Sequence, residues 1–148
     1  MAAERRAEAT WTGNLATGKG TVRLASSGAA TELPVTWASR TERSDGKTSP
    51  EELIAAAHAA CFSMAFSNEL AQAGTPPTRL DVSAVVTFAA ADGGWKVASS
   101  ALTVRGVVPG IDQAGFAQIA EAAKDGCPVS GALKGNVALS VDAVLEQG

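Results

Sequence analysis

The sequence holds one histidine and two cysteines, with no CxxC and no HExxH, so a zinc centre lacks its ligands and no metal or other cofactor is expected. Basic runs are also missing. The twelve Lys and Arg residues are scattered, only Arg5 and Arg6 are adjacent, and the formal charge is −3. Nucleic-acid binding calls for a basic stripe, so no nucleic-acid partner is expected. The longest apolar run, Leu53 to Phe66, is broken by His58 and Ser63 and is too short to span a bilayer, so no membrane association is expected. The opening Met-Ala-Ala-Glu-Arg-Arg has no apolar stretch behind its charges and does not read as a signal peptide; a cytoplasmic location is the expectation. There, Cys61 and Cys127 would be free thiols or a redox couple rather than a structural staple. Large apolar side chains are sparse too. Of 148 residues 46% are hydrophobic, yet 31 residues are alanine. So lean a core points to close backbone packing, possible also across a subunit boundary. The length suits a single domain over residues 1–148.

What is present reads as alternating blocks of strand and helix. Ala7–Thr12, Thr21–Ala25 after the turn Thr17-Gly18-Lys19-Gly20, and Glu32–Trp37 form a meander of short strands, with Pro34 marking an edge. Ser39 to Ser49 is polar and reads as a solvated or functional loop. Ser49-Pro50-Glu51-Glu52 then offers an N-cap, a proline at the first helical position and a glutamate to close a capping box. The helix should run to about Ala73, where Gly74 and Pro76-Pro77 end it. Twelve of the fourteen residues from Leu53 to Phe66 are apolar and cover every face, which predicts a helix buried all round. Leu80–Phe88 and Trp95–Val108 read as a hairpin through Asp92-Gly93-Gly94. Asp112 caps a helix to about Lys124, Cys127-Pro128 opens a short one, and Asn136–Leu145 is a last strand. The order βββ-α-ββ-αα-β is an α+β fold.

Three residues carry potential chemistry. Cys61, inside the apolar helix, is either a small core residue or a nucleophile. Cys127 opens a helix, where free N–H groups and the dipole favour thiolate; position alone nominates it as the reactive thiol, although it can equally be only a helix start. His58, one turn before Cys61, suits a Cys–His pair or a core histidine satisfied by a carbonyl. Glu51 and Glu52 are accounted for by the helix cap.

The segment Ser49-Pro50-Glu51-Glu52-Leu53-Ile54-Ala55-Ala56-Ala57-His58-Ala59-Ala60-Cys61-Phe62-Ser63-Met64-Ala65, with Cys127-Pro128-Val129-Ser130 beyond it, closely resembles the osmotically inducible protein C and organic hydroperoxide resistance (OsmC/Ohr) family. The likeness extends to Trp11-Thr12-Gly13-Asn14-Leu15, Gly18-Lys19-Gly20-Thr21 and Val108-Pro109-Gly110-Ile111-Asp112. The resemblance implies an OsmC-like fold, with antiparallel sheets wrapped around a long buried central helix, and an intertwined homodimer with shared active sites. It implies a thiol-dependent peroxidase that protects against oxidative stress, with organic hydroperoxides as substrates and an external dithiol, lipoyl-type among the options, as reductant. It makes Cys61 the attacking thiol and Cys127 the resolving one, which reverses the ranking by position. Glu51 matches the family glutamate that orients an essential arginine. The arginine carries over to Arg40, with Arg43 as the alternative in the same loop; Lys19 stands where the organic-hydroperoxide branch has its arginine, so the chain follows the OsmC branch. A substrate tail at Cys61 would meet Leu53, Phe62, Met64 and Phe66, or their counterparts from a partner chain. The weaker readings are a general thiol–disulfide oxidoreductase, disfavoured without CxxC, and a non-catalytic module for apolar ligands.

Helix geometry bears on the dimer separately. Glu51 and Cys61 are ten residues apart, about 15 Å along a straight helix, too far for one arginine to bridge closely. Two copies packed antiparallel about a two-fold axis near Ala56 would bring Glu51 of one level with Cys61 of the other. Ala55, Ala56, Ala59 and Ala60 would permit the close approach.

Overall fold

Two glycines let the first strands close over a tryptophan. β1 (Glu8–Thr12) pairs antiparallel with β2 (Lys19–Arg23), placing Trp11 opposite Gly20. In the computed structural model, which describes residues 1–147, a Cβ at Gly20 would lie 2.7 Å from the Trp11 ring. One at Gly18 would lie 2.2 Å from the Asn14 carbonyl, so a side chain is excluded at both. β3 (Leu33–Val35) adds to the other side of β2, with Pro34 in this edge strand as expected.

The chain then departs from the expected strand and loop. Thr36 is extended and accepts from the Ser39 N–H, while the Ser39 hydroxyl receives the Thr36 N–H, and this reciprocal cap starts a helix, α1 (Trp37–Thr41). The element order is therefore βββ-αα-ββ-αα-β, one helix more than predicted. The long helix α2 (Pro50–Gln72) begins where foreseen. Ser49 Oγ accepts the Glu52 N–H at 3.1 Å, but the Glu52 carboxylate takes the Thr48 hydroxyl at 2.6 Å instead of closing the box.

Met1–Leu53 forms one compact unit, and a second begins at Ile54, so α2 starts in the first and continues through the second. In the second unit, β4 (Arg79–Ala91) and β5 (Gly94–Val107) make an antiparallel hairpin. Asp92 and Gly93 both have positive φ, 37° and 83°, as the tight turn between twisted strands requires. α3 (Gln113–Gly126), capped by Asp112, and α4 (Pro128–Leu133) then lead to β6 (Ala138–Glu146). β6 runs parallel to β5, so this sheet is mixed rather than antiparallel throughout. The reason is the helical connection between β5 and β6, the kind of crossover a parallel pair needs.

The core of this unit is built from Phe62, Phe66 and Leu70 of α2, Leu102 and Val104 of β5, and Phe116, Ala120 and Ala123 of α3. Phe66 touches both Phe62 (5.4 Å between ring centroids) and Phe116 (4.9 Å). On α2, His58, Phe62, Phe66 and Leu70 are buried at four-residue spacing, whereas Ala56, Ala60 and Met64 are exposed. The single chain thus buries one edge of the helix rather than all of it. Among the described residues no helix is long and apolar enough to cross a membrane. Phe66→Ala should destabilise the fold by about 3–5 kcal/mol, read from denaturant unfolding; a loss below about 1 kcal/mol would mean that Phe66 is not central to the core.

Candidate functional site

Pro128 sets the position of the second thiol. A residue before proline is pushed into extended backbone, and Cys127 (φ −68°, ψ 124°) accordingly ends α3 and starts α4. This places its sulfur 3.0 Å from Cys61 on α2, although the two are 66 residues apart in sequence. Both are free thiols; Cys61 is half-buried and Cys127 buried. A disulfide needs about 2.05 Å, so a shift of about 1 Å would join them.

The two sulfurs differ electrostatically. Burial raises the pKa of Cys61, and the hydrogen bond and charge of Cys127 add to the rise; the Val129 N–H opposes it and is outweighed. Burial also pushes Cys127 up, but hydrogen bonds from Cys61, from the N–H and hydroxyl of Ser130, and from the Val129 N–H together leave its pKa below the ordinary thiol value. No cap hydrogen bond closes onto the Cys127 sulfur, so the groups of Val129 and Ser130 act on it as favourably oriented dipoles. In the single chain Cys127 is therefore the more acidic of the two thiols.

His58 is a core histidine and does not pair with Cys61. Its Nδ1 lies 2.6 Å from Ser100 Oγ and its Nε2 lies 2.8 Å from Ser130 Oγ, two hydroxyls in place of the expected carbonyl. All three side chains are buried, and burial lowers the imidazole pKa from 6.5.

The first unit holds a second polar centre. Arg40, in the last turn of α1, donates through Nε and Nη2 to both carboxylate oxygens of Glu51 at 2.9–3.2 Å. The Glu51 side chain is 7% exposed, so this planar fork is largely dry. Helix capping therefore does not exhaust the role of Glu51. The Arg40 guanidinium also lies 5.9 Å from the Trp37 ring centroid. Trp11, Leu15, Val35, Thr36, Trp37 and Pro50 line a cavity of about 330 Å³ that Arg40 borders. A larger hollow, about 820 Å³, runs along Ala3–Ala7 and holds none of these groups. Arg43 follows α1 beside Glu42 and Lys47, and Lys19 is exposed on β2.

Of the four residues expected to meet a substrate tail, Phe62 and Phe66 are fully buried in the core and have no surface to offer one. Leu53 is half-buried and Met64 is 70% exposed. Sequence reasoning missed Trp37, which stands three residues before Arg40 on a helix whose Thr36 cap was read as strand. It also missed Ser130, although the residue falls at the third position of a helix opened by Cys127-Pro128. Among the described residues no group of three or more His, Cys, Asp or Glu is gathered as a metal site.

Residues 43–142 match the family described as OsmC-like protein. Over 139 residues the chain is 44% identical to the Escherichia coli (strain K12) protein named peroxiredoxin OsmC, covering 94% of this chain and 96% of that one. Over 91 residues it is 33% identical to the organic hydroperoxide resistance protein of Xanthomonas axonopodis pv. citri, covering 61% of this chain and 62% of that one. The crystal structure of the organic hydroperoxide resistance protein OhrB of Bacillus subtilis superposes with a TM-score of 0.72 at 25% identity, covering 93% of this chain and 97% of that one.

The depressed pKa of His58 has a consequence for stability. Below about pH 6.5 the unfolded chain takes up a proton that the buried imidazole resists, so folding weakens as the pH falls. The denaturation midpoint of the wild type should drop between about pH 7 and about pH 5, and drop less in His58→Gln, which keeps hydrogen-bonding groups but does not titrate. Equal drops would show that His58 is not the source.

Proposed function

The chain belongs to the OsmC-like protein family, and from that premise we propose that it is a thiol-dependent peroxidase that reduces organic hydroperoxides to alcohols. The observation that carries the reading is the pair of reduced sulfurs 3.0 Å apart, the outer one half-buried and the inner one buried. Cys61 thiolate attacks the distal oxygen of the hydroperoxide, forming an S–O bond as the O–O bond breaks, and the departing alkoxide takes a proton to become the alcohol. Cys127 then attacks the sulfenic sulfur of Cys61, the S–S bond forms, and the hydroxyl leaves as water. An external dithiol returns both sulfurs to the reduced state. The close second thiol protects Cys61 from irreversible oxidation.

The first step needs Cys61 as the anion, which burial and Cys127 oppose. A guanidinium fixed beside the sulfur supplies the missing stabilisation and also meets the charge on the leaving alkoxide. Arg40, clamped by Glu51, is the arginine we assign to that role. We assign it in trans, across a homodimer in which α2 packs on its two-fold copy near Ala56; the exposure of Ala56, Ala60 and Met64 in the single chain supports this arrangement. The cavity walled by Trp11, Leu15, Val35 and Trp37 beside Arg40 then takes the alkyl tail of the substrate, in place of Phe62 and Phe66. Each buried CH₂ is worth about 0.8 kcal/mol, an advantage hydrogen peroxide lacks.

With one equivalent of cumene hydroperoxide, mass spectrometry should find a disulfide in the wild type, one added oxygen in Cys127→Ser and no change in Cys61→Ser. Oxidation of Cys127 in the Cys61→Ser protein at the wild-type rate would instead make Cys127 the attacking thiol, as its lower pKa alone suggests. Arg40→Ala should slow Cys61 oxidation by about a hundredfold or more, and Arg40→Lys should restore it only in part. Trp37→Ala should reduce kcat/KM for cumene hydroperoxide while leaving that for hydrogen peroxide nearly unchanged; equal losses on both would remove the cavity from substrate binding.

A further inference from the structure

The peroxidase chemistry leaves one buried titratable group unused. His58 is fully buried, and so is Ser100, while Ser130 and Cys127 are 2% and 1% exposed. Three of these side chains are joined in one polar line through the core of the second unit, Ser100 to His58 Nδ1 (2.6 Å) and His58 Nε2 to Ser130 Oγ (2.8 Å), and the line leads to Cys127 because Ser130 is the third residue of the helix that Cys127 caps, where its hydroxyl favours a charge on that sulfur. The line ends at Cys61, 3.0 Å further on. It draws on α2, β5 and α4, and no buried side-chain nitrogen or oxygen among the described residues lacks a partner.

Proton counting gives the line a direction. A neutral imidazole carries one N–H. If that hydrogen is on Nδ1, it goes to Ser100, and Ser130 must spend its only hydrogen on Nε2, leaving none for sulfur. If it is on Nε2, it goes to the Ser130 oxygen, Ser100 donates to Nδ1, and the Ser130 hydrogen is left to point at Cys127. Only the second arrangement satisfies an ionised Cys127 while leaving both serines bonded. Ser100 acts as the anchor, since its hydroxyl is what Nδ1 accepts.

We propose that His58 is a positioning residue for Cys127: its Nε2–H fixes the Ser130 oxygen so that the Ser130 hydroxyl donates to the Cys127 sulfur and holds that thiol ready for the second step. The inference rests on the peroxidase reading above. In that step the Cys127 sulfur and the sulfenic sulfur of Cys61 form the S–S bond as the S–O bond breaks. The Cys127 sulfur supplies the bonding electron pair and rises by one formal oxidation unit, the sulfenic sulfur falls by one, so both reach disulfide level, and the proton lost by Cys127 ends on the departing hydroxide as water. No outside oxidant is required after the hydroperoxide. Peroxide attack by Cys61 does not use the line, so the two steps respond differently when it is cut.

The test separates the two steps in a single turnover with cumene hydroperoxide, using quenched mass spectrometry to follow the added oxygen and then the disulfide. Ser130→Ala removes the donor to sulfur. His58→Asn places its amide near the Nδ1 position and reaches Ser100, whereas His58→Gln reaches Ser130 near the Nε2 position. Disulfide formation should slow about tenfold or more in Ser130→Ala and His58→Asn, as expected for loss of a hydrogen bond to a charged group, and stay within about threefold of wild type in His58→Gln. Oxidation of Cys61 should stay within about threefold in all three. Resolution by Ser130→Ala at the wild-type rate, equal slowing in the two His58 variants, or equal slowing of both steps would overturn the inference. A second arm needs no peroxide: in a Cys61→Ser background, alkylation of Cys127 by iodoacetamide near neutral pH should fall severalfold when Ser130→Ala is added. An unchanged alkylation rate overturns the positioning role even if turnover behaves as expected. A wild type inert to hydroperoxide whose alkylation still falls overturns the peroxidase reading and leaves the positioning of Cys127 standing.

Discussion

A thiol set in an alanine-rich helix keeps its proton, whereas an O–O bond is broken by the anion. Burial raises the pKa of Cys61, and its nearest polar neighbour, Cys127, raises it further because that sulfur gathers the donors that favour a negative charge. On the proposed reading this suits Cys127 as the resolving thiol, while among the described residues no cation contributes to the shift of Cys61. A guanidinium about 4 Å from a sulfur is worth about 4 kcal/mol at an effective dielectric near 20, which is about three pKa units. That is enough to reverse the penalty, and on the proposed reading it gives the Arg40–Glu51 fork its purpose, a buried glutamate holding one arginine still. Ser39 strengthens the hold, since its hydroxyl caps α1 and donates to the Thr48 carbonyl at 2.9 Å, tying the Arg40 helix to the segment that leads into Glu51.

On the proposed dimer, the exposed face of α2 answers the same constraint. A helix meant only for the core of its own chain would bury its apolar residues, yet Ala56, Ala60 and Met64 face outward while His58, Phe62, Phe66 and Leu70 face the core. Alanine adds little side-chain bulk, so such a face allows two helix backbones to approach closely. On the proposed two-fold arrangement, the five-residue offsets of Glu51 and Cys61 from Ala56 bring the fork of one chain level with the thiol of the other. The small count of large apolar side chains is then a property of half an assembly rather than of a complete fold.

Much of this was legible in the sequence, where local chemistry decides. Ser49-Pro50, Asp112, Cys127-Pro128 and Asp92-Gly93 each declare a helix start or a turn within four residues, and each stands where expected. The readings that failed depended on tertiary context. Thr36 has the β-branched side chain of a strand residue, and only its exchange of hydrogen bonds with Ser39 turns it into a cap. The direction of β6 is set by a helical crossover and not by its own pattern. Local capping chemistry accounts for Glu51 and is silent on Arg40, eleven positions earlier; only the family resemblance named the two together, and the structure joins them in one fork. Phe62 and Phe66 neighbour Cys61 in sequence, but the 100° step of a helix turns them to the core while Met64 is turned outward. Family resemblance ranked the two thiols by role, whereas the electrostatics of the single chain rank them by acidity, and both rankings are consistent with a site completed from elsewhere.

The most direct measurement of that completion is complementation between two inactive chains. Cys61→Ser and Arg40→Ala proteins, each inactive toward cumene hydroperoxide, should be unfolded together and refolded, and the heterodimer fraction measured by native mass spectrometry. A shared site predicts recovered activity in proportion to the heterodimer, because one of its two sites receives an intact Cys61 from one chain and an intact Arg40 from the other. Confirmed heterodimers without activity would contradict the assignment of Arg40 to its partner's thiol.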